Sequence, residues 1–228
     1  SFYLKKNIDP LPVHATTSSK SKTTPTDPSF GKRGIQIKHL MQIMGFYGLA
    51  TYLVIIVSFN LPFLMQHYTL SSSASGVMIS LFFLAIMLPG LFITWIIRKL
   101  KNATVFLPLL LICAGLLLIY LFKYEWTIGL GCFVAGIGYG VIQPLVYDKS
   151  VRTADSKNTT LALALVMSVN YLAILLCPFI VDLLTGLFGK SGSADFPFVL
   201  NAAIVLLMAV VGYRYRESYV FGAPDFSE

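Results

Sequence analysis

The residues of this chain that could do chemistry are few, mostly neutral, and set inside long apolar runs. Within residues 39–65, Tyr47, Thr51 and Ser58 recur at i, i+4 and i+11. At about 100° per residue in a helix they fall within about 40° of one another on one face. Gln42 and Asn60 add polarity near the two ends of that run. Within residues 126–147, Gly129, Gly136, Gly140, Gln143 and Tyr147 share a second narrow sector, and Gly131 and Gly138 run beside it. Glycines in such a place let helices pack closely or let a substrate approach the backbone. Pro144 loosens the helix one turn before its end. Glutamine and asparagine are costly in lipid, so Gln143 and Asn170 must face protein or water. Tyr47, Thr51, Asn60, Tyr139, Gln143, Tyr147 and Asn170 are therefore the candidates for lining a substrate cavity. Each has a plainer alternative. The glycine stripe can be a packing seam, Gln143 an interhelical hydrogen bond, and the hydroxyls can bond their own helix backbone.

Charged candidates are scarcer. Asp182 is the only acid or base clearly inside an apolar run, about one turn from its end. A proton-coupling carboxylate works best deep and desolvated, where its pKa is raised, so Asp182 is expected to face an aqueous vestibule or to pair across helices. His39 and His67 sit at run ends and read as interfacial. Asp148, beside Lys149, reads as a salt bridge or a helix-end gate. No His/Cys/Asp/Glu group has metal-ligand spacing, no phosphate loop ending in GK[ST] is present, and no Ser-His-Asp set lies at one depth. The expectation is a chain that is not an enzyme and needs no metal or organic cofactor. Cys113, Cys132 and Cys177 all lie in apolar runs and form no disulfide framework.

The elements that must hold these residues follow from composition. The chain is 56% hydrophobic and 12% charged, with a mean hydropathy of +0.76, which excludes both a water-soluble globule and a disordered chain. A bilayer core needs about 20 mostly apolar residues per helix. Six stretches qualify, at 39–65, 75–97, 103–122, 126–147, 160–187 and 196–213. The predicted fold class is an all-α membrane protein with six transmembrane helices. With six spans, all of the 17 Lys and Arg residues except Lys123 and Lys190 fall on one side. The positive-inside rule makes that side cytoplasmic, with both termini of the segment on it. In a soluble protein the net charge of +7 would suggest nucleic acid; here it reports orientation, and no nucleic-acid partner is expected. Tyr68, Tyr124, Trp126, Tyr147, Tyr213 and Tyr215 cluster near span ends, as interfacial anchors do.

Residues 9–34 are rich in Pro, Ser, Thr and Lys without apolar periodicity, as a flexible linker would be. SFYLKKN before it reads as the cytoplasmic end of an earlier membrane helix. The expected organisation is a cytoplasmic interdomain linker at 1–34, a six-helix transmembrane unit at 35–216, and a cytoplasmic tail at 217–228, with a preceding membrane half missing.

Three stretches carry a family resemblance. PGLFITWIIRKLKN, after the second span, is similar to the second-half copy of the loop signature of the major facilitator superfamily. Gly90, Arg98 and Lys99 match it, whereas Thr94, Trp95 and Ile97 stand at its acidic, first basic and second glycine positions. GLGCFVAGIGYGVIQP resembles that family's glycine-rich tenth helix. LLCPFIVDLLTGLFG resembles the glycine-proline helix of its drug:proton antiporters, with Pro178 matching, Cys177 in place of the leading glycine and Gly186 displaced.

The resemblance, over residues 35–216, implies the C-terminal half of a secondary transporter, built as two inverted three-helix repeats and working by alternating access. It implies packing or gating roles for Gly90, Arg98, Lys99, Gly136, Gly140, Pro144 and Pro178. It also implies the missing N-terminal six-helix half as partner, the lipid bilayer of a bacterial inner membrane as setting, and a proton gradient as energy source. An apolar, aromatic cavity wall suits efflux of small organic or amphipathic compounds. The alternatives are an uptake permease for a nutrient or organic anion, and a truncated membrane protein that does not transport. The first and fourth spans would line the cavity, the second and fifth would meet the other half, and the third and sixth would face lipid.

Overall fold

The computed structural model describes residues 35–100, 103–190, 192–216, 218 and 220. The expected linker at 1–34 and most of the expected tail at 217–228 lie outside the described residues. Among the described residues there are seven helices: α1 (Ile37–His67), α2 (Ser72–Leu91), α3 (Ile93–Leu100), α4 (Phe106–Leu121), α5 (Glu125–Arg152), α6 (Thr159–Leu187) and α7 (Phe196–Arg214). α1, α2, α5, α6 and α7 are long and apolar enough to cross a membrane. α4 is equally apolar but has 16 residues, about 24 Å of helix against a hydrocarbon core of about 30 Å.

The continuous second span expected at 75–97 is corrected. Pro89 has no N–H to continue the helical ladder. Past it, the Phe92 amide bonds the Pro89 carbonyl at 3.1 Å, three residues back, and Phe92 takes φ −118° and ψ 13°. The helix tightens there and restarts as α3.

α1 and α4 run antiparallel to α5 whereas α2 runs parallel to it, and four contacts fix the helix ends. The Gln36 amide bonds the Thr153 carbonyl at 2.8 Å, joining the start of α1 to the end of α5. The rings of Phe106 and Tyr213 lie 5.3 Å apart, joining the start of α4 to the end of α7. At the opposite end the Tyr68 hydroxyl reaches the Tyr120 carbonyl at 3.4 Å, and the Ser71 amide reaches Glu125 Oε1 at 3.3 Å. The basic side chains of the described residues sort accordingly. Lys38, Arg98, Lys99, Lys149, Arg152, Lys157, Arg214 and Arg216 belong to the first end, and Lys123 and Lys190 to the other.

α5 is the axis of the core, and its glycines decide what packs on it. A Cβ on Gly136 would meet the Phe82 carbonyl oxygen at 2.5 Å, and one on Gly140 would collide with the Ile86 carbonyl, both on α2. On the neighbouring row, a Cβ on Gly131 would meet the Gly115 carbonyl oxygen at 2.7 Å and one on Gly138 the Pro108 carbonyl oxygen at 2.6 Å, both on α4. The two rows are thus close-packing seams for two different helices. α7 closes on α4, with Cys113 Sγ reaching the Ala202 carbonyl at 3.5 Å. α1 pairs with α6, where a Cβ on Gly48 would lie 2.7 Å from Val169. α2 and α6 keep large apolar side chains exposed, among them Leu84, Met87, Leu172 and Leu175.

Candidate functional site

Six of the seven predicted cavity residues meet. They come from three helices, α1, α5 and α6, over about two turns of α5. Tyr47 and Thr51 lie one turn apart on α1; Tyr139, Gln143 and Tyr147 lie one turn apart on α5; Asn170 comes from mid-α6. The Tyr139 hydroxyl lies 2.7 Å from Thr51 Oγ1. Thr51 donates to Asn170 Oδ1 at 2.7 Å, and Tyr139 donates to the same oxygen at 3.1 Å. The Tyr47 ring lies parallel to that of Tyr139, with centroids 6.2 Å apart, and its hydroxyl is 3.1 Å from the Tyr147 hydroxyl. Gln143 Nε2 donates to the Tyr147 hydroxyl at 3.4 Å. Tyr47 and Thr51 are buried; Asn170, Gln143 and Tyr147 are half-buried.

Hydrogen counting sharpens the Thr51–Tyr139–Asn170 triangle. With Oδ1 turned inward, three oxygen–oxygen contacts share only the two hydroxyl hydrogens. With the amide turned so that Nδ2 faces inward, all three contacts are satisfied and the amide oxygen is left over, while the remaining hydroxyl hydrogen has Tyr47, which also bonds Tyr139, within reach. Which way an amide points is assigned from its network. In both orientations the triangle has hydrogen-bonding capacity to spare, which a self-satisfied interhelical bond would not. It opens on a cavity of about 230 Å³ lined by Thr51, Tyr139, Gln143, Asn170 and apolar residues such as Phe82 and Ile174. A second cavity, of about 400 Å³, lies toward the basic end against Gln143, Pro144, Tyr147 and Gly90. Gln143 lines both. Neither has a carboxylate, histidine, lysine or arginine in its wall. A third groove, of about 530 Å³, runs between the other ends of α2 and α5 and is walled almost wholly by apolar side chains around Trp126. It has no polar convergence and belongs to the apolar exterior.

Other predicted residues fall elsewhere. Asn60 is nine residues beyond Thr51 on α1, about 13 Å along the axis, and lines neither polar cavity. The Ser58 hydroxyl is buried without a partner among the described residues, so the stripe expected from Tyr47, Thr51 and Ser58 carries two of its three members into the network. The stripe expected on α5 divides in part: Gly136 and Gly140 seat α2, Gln143 and Tyr147 face the cavities, and Gly140 also borders the one of about 400 Å³. Tyr147 is half-buried in the network, whereas Tyr124, Trp126, Tyr213 and Tyr215 are exposed at helix ends.

Gly90 has open space around its Cβ position, so no steric demand fixes a glycine there. Pro178 is accommodated within α6. Asp148 pairs with Arg152 at 3.0 Å, an exposed i, i+4 pair on α5. The Asp182 side chain is exposed on α6 and in no ion pair among the described residues. His39 bonds Gln36 Oε1 at 2.8 Å, and the His67 ring lies against Tyr68. The three cysteines are free and buried, and the described residues hold no group of metal-ligating side chains. Outside the spans, the Ser193 hydroxyl donates to Asp195 Oδ1 at 2.6 Å and holds that carboxyl below its ordinary value.

Two polar features went unnoticed in the sequence. Asn201 on α7 is buried beside Tyr52; an asparagine in an apolar run is the signal that marked Asn170, and it was there to read. Lys149 is buried and donates to the Val220 carbonyl at 2.5 Å; its place in a basic cluster hid it.

The sequence model described as Major Facilitator Superfamily matches residues 40–224, a stretch that takes in every helix but the first three residues of α1. No curated protein and no solved structure matches the chain.

Proposed function

Since the chain belongs to the Major Facilitator Superfamily, whose members are membrane transporters, we propose that it is the C-terminal half of a secondary active transporter, and that the transporter exports small organic or amphipathic compounds across a bacterial inner membrane by alternating access. In this reading α1, α2 and α4 form one three-helix repeat and α5, α6 and α7 its inverted copy, with α3 an appendage of the first. The basic end is cytoplasmic. The uncovered apolar faces of α2 and α6 meet an N-terminal six-helix half. The energy source is the proton gradient, with the coupling carboxylate in that other half, and no further cofactor takes part.

The Thr51–Tyr139–Asn170 triangle carries the reading. Its spare hydrogen-bonding capacity faces a cavity whose remaining wall is aromatic and aliphatic. Such a wall favours a ligand with a large apolar body and one or two neutral polar groups, because an ion would enter without a counter-charge and a sugar would leave most hydroxyls unpaired. Arg98, Lys99 and Pro144 then lie at the cytoplasmic mouth, and Gly136, Gly140 and Pro178 maintain helix contacts. The test is transport by the whole polypeptide in energised inside-out vesicles, using a neutral amphipathic fluorescent dye. Dye accumulation that collapses with an uncoupler, and falls about tenfold in Asn170→Ala at equal protein level, supports the reading. Accumulation untouched by Asn170→Ala and Thr51→Val removes the site from it. An uncoupler without effect removes proton coupling.

A further inference from the structure

α3 is built unlike the other described helices. It is eight residues long and begins at the tight turn where Pro89 and Phe92 end α2. Ile97 is buried and the residues on its side are half-buried, while Thr94, Trp95, Arg98 and Lys99 are exposed. At about 100° per residue these four occupy a sector of about 140°, and the packed residues the sector opposite. Every long helix here distributes its apolar residues all round; α3 alone has two distinct sides. On the exposed side are two cations and an indole 62% exposed, with Lys99 Nζ 4.9 Å from the Trp95 ring centre. Neither Arg98 nor Lys99 is in an ion pair among the described residues. The helix lies at the end of the bundle where the other basic side chains gather, which on the proposed function above is the level of the lipid headgroups.

A short amphipathic helix with an aromatic ring and unpaired cations at that level is suited to anionic lipid. The indole sits at the boundary of headgroup and acyl chain, and the cations reach phosphate oxygens. We propose that Trp95, Arg98 and Lys99 form a docking site for the headgroup of an anionic phospholipid, with Arg98 and Lys99 on the phosphate and the Trp95 ring against the glycerol region. The occupant is a bilayer lipid and not a soluble phosphate, because the site presents an exposed indole beside the two cations, and an indole gains from the headgroup–acyl boundary what a soluble phosphate does not offer.

The chain supplies its own reporter and control. Trp95 and Trp126 are its two tryptophans and lie at opposite ends of the bundle. The whole polypeptide is reconstituted in vesicles whose phosphatidylglycerol or phosphatidylcholine is brominated, one lipid at a time, in otherwise identical mixtures. The Trp95 signal is taken as the difference between the protein and its Trp95→Phe variant; the Trp126 signal comes likewise from Trp126→Phe. Brominated phosphatidylglycerol is expected to quench Trp95 roughly threefold or more above brominated phosphatidylcholine, given the attraction of two cations to an anionic surface. The excess should disappear in Arg98→Gln/Lys99→Gln and be absent for Trp126. Equal quenching by the two lipids would overturn the proposal, as would a preference that survives Arg98→Gln/Lys99→Gln. No quenching of Trp95 by either lipid would also overturn it and would mean that protein covers this surface.

Discussion

Two faces of α5 illustrate two uses of the same stretch of helix. Toward α2 and α4 it presents glycines whose missing side chains are filled by carbonyl oxygens of the neighbours. Toward α1 and α6 it presents Tyr139, Gln143 and Tyr147, joined by hydroxyl and amide contacts. The first face is specified by volume and has almost no tolerance. The second is specified by hydrogen-bond partners that can be exchanged. Membrane helices gain little from burying one apolar surface against another, since lipid is equally apolar, so close backbone approach and polar contacts are what remain to hold them. Here the two means are separated by face, and mutations should separate likewise.

The largest effect is expected on the glycine face. Gly140→Leu forces a side chain into the Ile86 carbonyl and should cost about 3 kcal/mol or more; the protein should be nearly lost from the membrane fraction on an immunoblot. Full-level protein that merely fails to transport would break the comparison, because Gly140 would then act in gating. On the polar face, Thr51→Val deletes the hydroxyl common to two contacts of the triangle. Transport should fall roughly tenfold while the amount of folded protein changes little, since a net hydrogen bond contributes about 1 kcal/mol to stability. Gln143→Ala should shift relative rates among dyes by about threefold at unchanged abundance, because its 3.4 Å bond is the weakest of the network and its side chain lines both polar cavities. Lower abundance with an unchanged dye profile would make Gln143 a structural bond.

Gly90→Ala should leave abundance and transport within about 0.5 kcal/mol of the parent, because the position is open. The smallest effect concerns Asp195. Its carboxyl is held below the ordinary value by Ser193, so the native state binds fewer protons there than the unfolded chain does. The stabilisation is complete above the unfolded carboxylate pKa, near 4, and fades as pH falls through the lower native value. Thermal unfolding should show a slight extra loss below about pH 4, absent in Ser193→Ala.

The sequence made the identity of the site residues readable and their meeting unreadable. Asn170 and Gln143 declare themselves because amides in apolar runs must find partners. Nothing in their spacing shows that Thr51 contacts residues 88 and 119 positions away. Asn60 shows the limit from the other side: its residue type is as informative as that of Asn170, but its depth on α1 separates it from the network. Ser58 fits the stripe by angle alone and fails on neighbours. The break at Phe92 was hidden for a different reason. Proline and glycine are tolerated within membrane helices, so Pro89 and Gly90 do not by themselves announce an end, and α3 was absorbed into the preceding span.

The glycine seams also say how the bundle can move. α5 is keyed to α2 and α4 by backbone contact, and α7 rests on α4, so any slide along those seams drives carbonyls into one another. α1 and α6 are keyed to each other at Gly48 and Val169. Between the two sets lie the hydroxyls and amides of the network, which can trade partners with small displacements and small cost. Mechanically the bundle is two closely packed sets with an exchangeable polar layer between them, and the cavity opens on that layer. Displacement of one set against the other would therefore change which hydroxyl is left with a hydrogen to give, so that the chemistry offered to a ligand becomes a function of position.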